Sequence, residues 1–258
     1  MAGMLQLYPA PAGPVEAGIY DRLDLPPPPP HRPYTILNMV TTVDGKTTLD
    51  GHRVNEIGSD MDHRLMIKLR APVDAVLRGA GTVRSHGRYP LVGEEEAAAR
   101  RAAGRPDQPK VVIVSQSGDL PLTAPVFQEA AHRPIIITAK DLKAERREAL
   151  AQAAHIVTVD GDPMDLPAAM AVLRREHGIT HLLSEGGPYL NYWFLKHGLL
   201  DEIFWTVAPK VGGNRDDLTM VDGPVTLDPL PQLELRTAYF YQPTGELFLR
   251  YRVRGGVA

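Results

Sequence analysis

The stretch Val73-Asp74-Ala75-Val76-Leu77-Arg78-Gly79-Ala80-Gly81-Thr82 passes from an apolar run directly into two glycines and a threonine. Such a run, rich in valine and bounded by glycine, predicts a buried strand from Val73 to Leu77. Gly79 and Gly81 let the backbone approach a phosphate closely and point amide hydrogens at it, and Thr82 adds a hydroxyl. The stretch therefore predicts a strand and a candidate phosphate-binding turn, with a tight structural turn as the alternative.

A second strand end of this kind is Leu183-Ser184-Glu185-Gly186-Gly187-Pro188. Pro188 suits the first turn of a helix, and the unpaired amides of a helix start attract a pyrophosphate. Glu185 would stand at the strand end, where a buried carboxylate needs a partner or a ligand. The alternative for Glu185 is an acid that caps a helix or closes a turn.

Strand and helix patterns alternate along the rest of the chain. Strands are predicted at residues 34–40, 111–114, 134–138, 156–159, 180–184 and 202–207, and helices at 59–70, 94–101, 141–153, 166–176 and 189–196. Leu233 to Tyr241 and Leu247 to Val253 flank Pro243-Thr244-Gly245, which is typical of a β-hairpin. The fold class is therefore α/β, a mixed and mostly parallel sheet flanked by helices with a C-terminal antiparallel hairpin.

The domain prediction is one domain over residues 34–258 preceded by an arm over residues 1–33. The arm contains five consecutive prolines, Pro26 to Pro30, which favour an extended polyproline conformation. A stiff arm packed on the domain or on a second subunit is the favoured interpretation, and a docking site for a partner is the alternative.

Composition narrows the function classes. The chain has 258 residues, a formal net charge of −3 and no cysteine. Without a basic field, nucleic acid is not an expected partner, and without thiols or clustered histidines no metal site is expected. The sequence has no signal-peptide pattern and no apolar stretch long enough to span a bilayer, so no membrane association is expected and the predicted location is the cytoplasm.

Several motifs in a fixed order resemble one family. They are Arg32-Pro33-Tyr34-Thr35, Asp44-Gly45-Lys46, Leu69-Arg70-Ala71, the two glycine turns with their strands, Gly198-Leu199-Leu200-Asp201-Glu202, Ala208-Pro209-Lys210 and Gly212-Gly213. This set resembles the riboflavin-pathway pyrimidine reductases, including the C-terminal reductase domain of bifunctional deaminase–reductases. The resemblance implies a dihydrofolate-reductase-like fold and an NADPH-dependent oxidoreductase, and it implies a homodimer.

The implied substrate is a ribosylamino-pyrimidine 5′-phosphate, whose C1′ receives a hydride to give the ribitylamino product. By matching position, the resemblance assigns cofactor contacts to Val40, Thr42, Gly79, Gly81, Thr82, His86, Ser115, Gly186, Gly187, Pro188, Tyr189, Leu190 and Asn191. It assigns substrate contacts to Asn38, Asp44, Lys46, Arg70, Leu91 and Glu185. Lys46, His86 and Glu185 are the expected catalytic residues.

The chain departs from the family pattern after the first glycine turn. The riboflavin enzymes usually carry Asp-Asp-Pro there, whereas this chain has Arg84-Ser85-His86-Gly87-Arg88-Tyr89-Pro90-Leu91. His86 could donate a proton to the developing amine. The departure keeps two alternatives open: a paralogue that reduces a pterin, dihydrofolate or another imine, and a non-catalytic nucleotide-binding protein.

Overall fold

The computed structural model describes residues 3–15, 18–21, 23–51, 53, 56–85, 87–128 and 133–254. Its strands are β1 (Met4–Tyr8), β2 (Gly13–Pro14), β3 (Tyr34–Thr42), β4 (Ala75–Gly79), β5 (Lys110–Val114), β6 (Ile135–Ala139), β7 (His155–Val159), β8 (His181–Ser184), β9 (Glu202–Ala208), β10 (Gln232–Tyr241) and β11 (Glu246–Arg254). Its helices are α1 (Asp60–Arg70), α2 (Ala80–Ser85), α3 (Glu94–Ala102), α4 (Pro125–Gln128), α5 (Ala144–Ala153), α6 (Leu166–Arg175) and α7 (Pro188–Lys196).

The chain divides into two compact units. The first unit consists of Met1–Asp24, Thr35–Leu69 and Pro188–Ala258, and the second consists of Leu25–Tyr34 and Arg70–Gly187. The prediction of one domain over residues 34–258 with a preceding arm stays a prediction. Two strands within that arm, β1 and β2, were not predicted, and β1 pairs with β10 in the first unit.

In the first unit the strand order is β2-β1-β10-β11-β9-β3. The pairs from β2 to β9 are antiparallel, and β3 runs parallel to β9. The predicted C-terminal hairpin is confirmed as β10 and β11.

In the second unit the strand order is β8-β4-β5-β6-β7, and all of its pairs are parallel. Successive parallel strands are joined through helices, as the alternation of patterns predicted. Because parallel strands bring their carboxyl ends to one edge of a sheet, the turns after β4, β5 and β8 share that edge. The predicted fold class, mostly parallel with an antiparallel C-terminal end, is confirmed.

Local sequence explains the helices whose ends were predicted well. The hydroxyl oxygen of Ser59 accepts hydrogen bonds from the amides of Met61 and Asp62 and so caps α1, close to the predicted helix start at residue 59. Asp165 caps α6 in the same way through the amide of Ala168. The buried residues of α6 recur at helical spacing, which fixes its packed face: Leu166, Ala169, Met170 and Leu173.

Other boundaries were wrong. Helix α5 was predicted to begin at Asp141, but it begins at Ala144, and Lys143 stands at its N-cap without a side-chain hydrogen bond. The short helices α2 and α4 were not predicted, because four to six residues carry too little periodicity to detect. Within the described parts of the chain, no helix combines the length and apolarity needed to cross a membrane.

Candidate functional site

The two glycine turns predicted from the sequence are neighbours in the second unit. The amide of Gly79 donates a 2.8 Å hydrogen bond to the carbonyl oxygen of Gly186, and the amide of Glu185 donates to the carbonyl oxygen of Leu77 over 2.9 Å. Gly186 has a φ of 75° and is joined to Gly187 by a cis peptide bond. A left-handed φ of this kind favours glycine over any residue with a side chain. The parallel pairing of β4 and β8 therefore continues into the turns themselves.

Thr82 lies beside the second turn. A Cβ atom on Gly187 would stand 3.7 Å from the Thr82 hydroxyl oxygen and would meet no other group within 4 Å. A Cβ atom on Gly81 would meet nothing within 4 Å. The glycines thus leave open space next to a half-buried hydroxyl, which suits a ligand that comes close to the backbone.

The turn after β5 contains Ser115, one of the predicted cofactor contacts. Ser115 is buried, and its amide donates to the carbonyl oxygen of Ile137. The next residue, Gln116, uses its amide side chain within the protein: Nε2 donates to Gly161 and Oε1 accepts from the amide of Met164. The side chain of Gln116 therefore holds the neighbouring loop that contains Gly161 and Met164.

Glu185 lies between two arginines. Arg70 binds it in a bidentate manner, with Nε 2.6 Å from Oε1 and Nη2 3.1 Å from Oε2. Arg78 donates to Oε2 from Nε over 2.8 Å and from Nη2 over 2.5 Å. The side chains of Arg70, Arg78 and Glu185 are only 6%, 11% and 7% exposed. We call these three residues the Glu185 cluster.

The cluster keeps Glu185 ionised. Burial of the carboxyl raises its pKa, but the charges and hydrogen bonds of Arg78 and Arg70 outweigh burial and hold the pKa of Glu185 at about 2. A carboxylate in this state accepts hydrogen bonds and holds no proton to give. The predicted position of Glu185 at a strand end is correct, and its partners within the protein are the two arginines.

The same arginines hold the segment that follows the first glycine turn. Arg78 Nη1 donates to the carbonyl oxygen of Arg88 over 3.0 Å, and Arg70 Nη1 donates to that of Leu91 over 2.9 Å. The Tyr89 hydroxyl donates to the carbonyl oxygen of Pro109. Leu91 itself leaves its side chain 50% exposed. His86, the predicted proton donor, lies outside the described residues.

In the first unit, three predicted site residues share one face of β3. Asn38, Val40 and Thr42 alternate along the strand, and side chains two residues apart point to the same side. Asn38 and Val40 are half-buried whereas Thr42 is buried. The predicted strand, residues 34–40, contained Asn38 and Val40 but ended before Thr42, which lies at the end of β3.

Asp44 binds the backbone amides of two glycines that are distant in the sequence. Its carboxylate accepts hydrogen bonds from the Thr42 hydroxyl over 2.6 Å and from the amides of Gly212 and Gly213 over 2.9 and 2.8 Å. The Thr42 hydroxyl and then these two amides lower the pKa of Asp44 well below its usual range. Asp44 therefore holds the loop of residues 212–213 against the strand end.

Lys46 binds the residues that follow this loop. Its Nζ donates to the carbonyl oxygens of Arg215 over 3.2 Å and Asp217 over 2.8 Å. Lys210 has a parallel arrangement and donates to the carbonyl oxygens of Glu56 and Ile57. An ammonium group has three hydrogens to donate, so these two contacts leave Lys46 one further donor.

The start of α7 contains four predicted cofactor residues. Pro188 begins the helix and Tyr189 is 60% exposed, whereas Leu190 and Asn191 are buried. Asn191 Nδ2 donates to the carbonyl oxygen of Met220, and its Oδ1 is buried without a partner among the described residues. The helix start is thus real, and a buried acceptor oxygen within its first turns is an unsatisfied group that calls for an explanation.

Arg78 is the site residue that the sequence prediction missed. An arginine next to a glycine at a strand end has no distinctive pattern, and its partner is 107 residues away. A signal existed only in the register: Leu77 pairs with Ser184 in the parallel ladder. The next residues of both strands, Arg78 and Glu185, therefore face the same side of the sheet.

Comparison with known proteins places the chain in one family. The family model of the RibD C-terminal domain matches residues 33–244. A 2,5-diamino-6-ribosylamino-4(3H)-pyrimidinone 5′-phosphate reductase of Methanothermobacter thermautotrophicus is 32% identical over 229 residues, which are 87% of this chain and 100% of that protein. A reductase of the same name from Archaeoglobus fulgidus is 28% identical over 193 residues, 74% of this chain and 87% of that protein.

Solved structures agree on the fold. The crystal structure of a pyrimidine reductase-like protein from Corynebacterium diphtheriae matches with a TM-score of 0.77 and 22% identity, over 87% of this chain and 93% of that one. The family model covers most of the chain, and the two relatives cover 87% and 74% of it. The chain belongs to the RibD C-terminal domain family.

Proposed function

We propose that the protein is a reductase of riboflavin biosynthesis that reduces 2,5-diamino-6-ribosylamino-4(3H)-pyrimidinone 5′-phosphate with NADPH. The observation that carries this proposal is the match to a relative named as a reductase of this compound. The two proteins are 32% identical over 87% of this chain and the full length of the relative. Relatives named as reductases imply a nicotinamide cofactor in general, and NADPH is our specific proposal. The product is the ribitylamino pyrimidine, in which C1′ has gained a hydride and the amine nitrogen retains its hydrogen.

The second unit offers groups that suit the phosphates of a dinucleotide. Open space beside Gly81 and Gly187, together with the Thr82 hydroxyl, would admit an anion close to the backbone. We propose that Gly79, Gly81, Thr82, Gly186 and Gly187 contact the cofactor, and that Ser115 lies near the 2′-phosphate. When bound, the reduced nicotinamide supplies the hydride.

In the first unit the proposal assigns cofactor contacts to Val40, Thr42 and the start of α7, namely Pro188, Tyr189, Leu190 and Asn191. A phosphate would be attracted by the amides of this helix start. The Asn191 oxygen, buried without a partner, would suit a hydrogen-bond donor rather than a phosphate. Among these residues, Asn191 would therefore contact a hydrogen-bond donor of the ligand and not a phosphate.

On the substrate side, the chain's residues would bind and orient more than they react. Arg70 is a guanidinium suited to a phosphate, and Glu185 would act through the arginines that it holds. Asn38, Asp44 and Lys46 are the proposed substrate residues of the first unit, and Leu91 is the remaining one of the second. Lys46 keeps one donor hydrogen beyond its two loop carbonyls, with which it could hold a ribose oxygen.

The ribose ring oxygen must gain a proton when the ring becomes an open chain. Glu185 does not suit this step, because the two arginines keep its carboxyl ionised. His86 and Lys46 remain the proposed proton donors. The pH profile of kcat should then depend on His86, and a profile unchanged by His86→Ala would remove that residue from the role.

The decisive experiment follows the loss of NADPH absorbance with three substrates in parallel. These are the diamino ribosylamino-pyrimidine phosphate, its deaminated counterpart and dihydrofolate. We expect the highest kcat/KM with the diamino compound, and a lower kcat/KM when NADH replaces NADPH. Preference for the deaminated compound would shift the substrate to that of the bifunctional enzymes, and preference for dihydrofolate would favour the paralogue. Turnover of none would favour a nucleotide-binding protein.

Two further predictions concern the state of the protein in the cell. We propose a homodimer, as the resemblance to the family implies, and a cytoplasmic location. Neither is needed for the chemistry described above. A monomeric mass in solution at micromolar concentration would contradict the dimer.

A further inference from the structure

Arg78 stands immediately before the first glycine turn, at the end of β4. The side chain lies on the same face as Glu185, because the register pairs Leu77 with Ser184 and both strands continue by one residue. A charged side chain at the end of a buried parallel strand loses most of its hydration, and only 11% of this one is exposed. An apolar residue would avoid this cost, so the contribution of Arg78 must be one that an apolar residue would not make.

Neutralising Glu185 is only part of that contribution, because Arg70 shares it. Arg70 already binds both carboxylate oxygens, and one guanidinium in a bidentate pair balances one carboxylate. Arg78 therefore adds a second positive charge to the cluster. A buried charge of this kind costs desolvation free energy, so the geometry of its hydrogen bonds, and not charge balance alone, accounts for its presence.

Arg78 joins two backbone segments that are otherwise far apart in sequence. Two of its nitrogens donate to Glu185, which follows β8, and the third donates to the carbonyl oxygen of Arg88. The planar guanidinium fixes the relative direction of these hydrogen bonds. Arg78 thus sets where Arg88 lies relative to the end of β8.

We propose that Arg78 is a positioning residue for the reductase: it orders the segment from Arg88 to Leu91 so that this segment can take its place beside the substrate. The inference rests on the proposed function, which assigns Leu91 to the substrate. Arg70 holds the far end of the segment through the Leu91 carbonyl oxygen. Arg78 holds its near end, two residues after His86.

The proposal separates substrate binding from cofactor binding. Arg78→Met leaves the Arg70–Glu185 pair intact, so the variant keeps a neutralised carboxylate and should fold. Its Arg88 carbonyl oxygen loses a charged donor, and the segment gains freedom. We expect KM for the pyrimidine substrate to rise about tenfold, as for the loss of one charge-assisted hydrogen bond, while the affinity for the cofactor changes less than about twofold.

Arg78→Lys provides the sharper comparison. Lysine keeps the charge but has no planar fork, so it can pair with Glu185 without reaching the Arg88 carbonyl oxygen in the same geometry. The matched control is Arg250→Lys, since Arg250 also forms a bidentate, buried pair with a carboxylate, Glu202. Both lysine variants should lower Tm, and only Arg78→Lys should raise KM for the substrate.

Hydrogen exchange tests the proposal without relying on activity. The amide of Leu91 donates to the carbonyl oxygen of Tyr89, and the amide of Val92 donates to Gln108 Oε1. We expect exchange at residues 88–92 to become about tenfold faster in Arg78→Met and Arg78→Lys, and to stay unchanged in Arg250→Lys. If the wild-type protein reduces none of the substrates, the proposed function fails, and faster exchange in the Arg78 variants would still support the positioning role.

Other outcomes overturn the inference. A fall in Tm alone, with KM and exchange at residues 88–92 unchanged, would make Arg78 a structural residue only. Equal effects of Arg78→Lys and Arg250→Lys on KM would mean that any buried ion pair has the same influence. A loss of cofactor affinity as large as the rise in substrate KM would move Arg78 to the cofactor side.

Discussion

The amide of Gly79 donates a hydrogen bond to the carbonyl oxygen of Gly186, 2.8 Å away and 107 residues along the chain. This bond extends the parallel pairing of β4 and β8 by one step beyond the strands. As a result, the two glycine turns keep the same register as the strands that precede them. The distance between a turn and its partner is then set by the sheet, which is more rigid than a free loop.

The open space beside Thr82 gives a first prediction. Gly187→Ala adds a Cβ atom 3.7 Å from the Thr82 hydroxyl oxygen, an ordinary van der Waals contact, and this Cβ atom meets nothing else within 4 Å. We expect Tm to change little and the dissociation constant for NADPH, measured by fluorescence titration, to rise about tenfold. The control is Gly13→Ala, whose Cβ atom also meets nothing within 4 Å. Unchanged NADPH affinity in Gly187→Ala would remove this turn from the cofactor site.

The Glu185 cluster gives a second prediction, on stability. Glu185→Gln leaves two buried arginines without an anion, and breaking a buried pair of this kind costs about 3–5 kcal/mol. Urea unfolding at pH 6 should report this loss. Glu176→Gln is the control, because Glu176 pairs with Arg175 at the surface, where ion pairs contribute about 1 kcal/mol or less.

The loss should depend on pH in a defined direction. The folded pKa of Glu185 is about 2, below its ordinary value of 4.5. The carboxylate therefore contributes stability that is fully present above pH 4.5 and is lost as the pH falls through 2. The difference between wild type and Glu185→Gln should shrink between pH 5 and pH 2. A difference that stays constant over this interval would contradict the ion pair.

Asp62 gives a third prediction, with the opposite sign. Burial raises the pKa of Asp62, a hydrogen bond with Thr206 opposes the rise and the charge of Glu246 adds to it, so that the pKa of Asp62 is about 6. Its contribution to stability is fully present below the unfolded pKa, near 3.8, and is lost as the pH rises through 6. Asp62→Asn should therefore gain up to about 3 kcal/mol relative to wild type between pH 4 and pH 8.

The measurement for Asp62 is urea unfolding of both proteins across that interval. Asp60→Asn is the matched control, since Asp60 is the exposed acid in the same first turn of α1. A constant stability difference between Asp62→Asn and wild type would show that Asp62 is ionised throughout.

Lys46 and Lys210 give a fourth prediction, because each donates to two loop carbonyl oxygens. Lys46→Met and Lys210→Met should both loosen a loop and lower Tm by similar amounts. Only Lys46→Met should lower kcat, by about a hundredfold if its ammonium group takes part in proton transfer. Steady-state kinetics with the pyrimidine substrate would measure this, and equal kcat values in the two variants would restrict Lys46 to holding the loop.

Much of the fold could be predicted because its signals are local. Each of these signals depends on residues that are close together in the sequence. Examples are the apolar strand before Gly79, the hydroxyl cap at Ser59 and the helical spacing of α6. Such patterns are written in consecutive residues and need no knowledge of the partner elements. Helix α5 was placed three residues early because Asp141 had the composition of a cap, while the chain continued as a turn to Ala144.

The site divides in the same way. The sequence by itself determined the strand ends, the glycines that follow them and the presence of Glu185 and Lys46 there. Only the tertiary structure decided what these groups touch: Arg78 meets Glu185 because of the β4–β8 register, and Asp44 meets Gly212 and Gly213 across 168 and 169 residues. The physical reason is that a hydrogen bond or an ion pair is fixed within a few tenths of an ångström by strand register and packing, and neither is encoded in neighbouring residues.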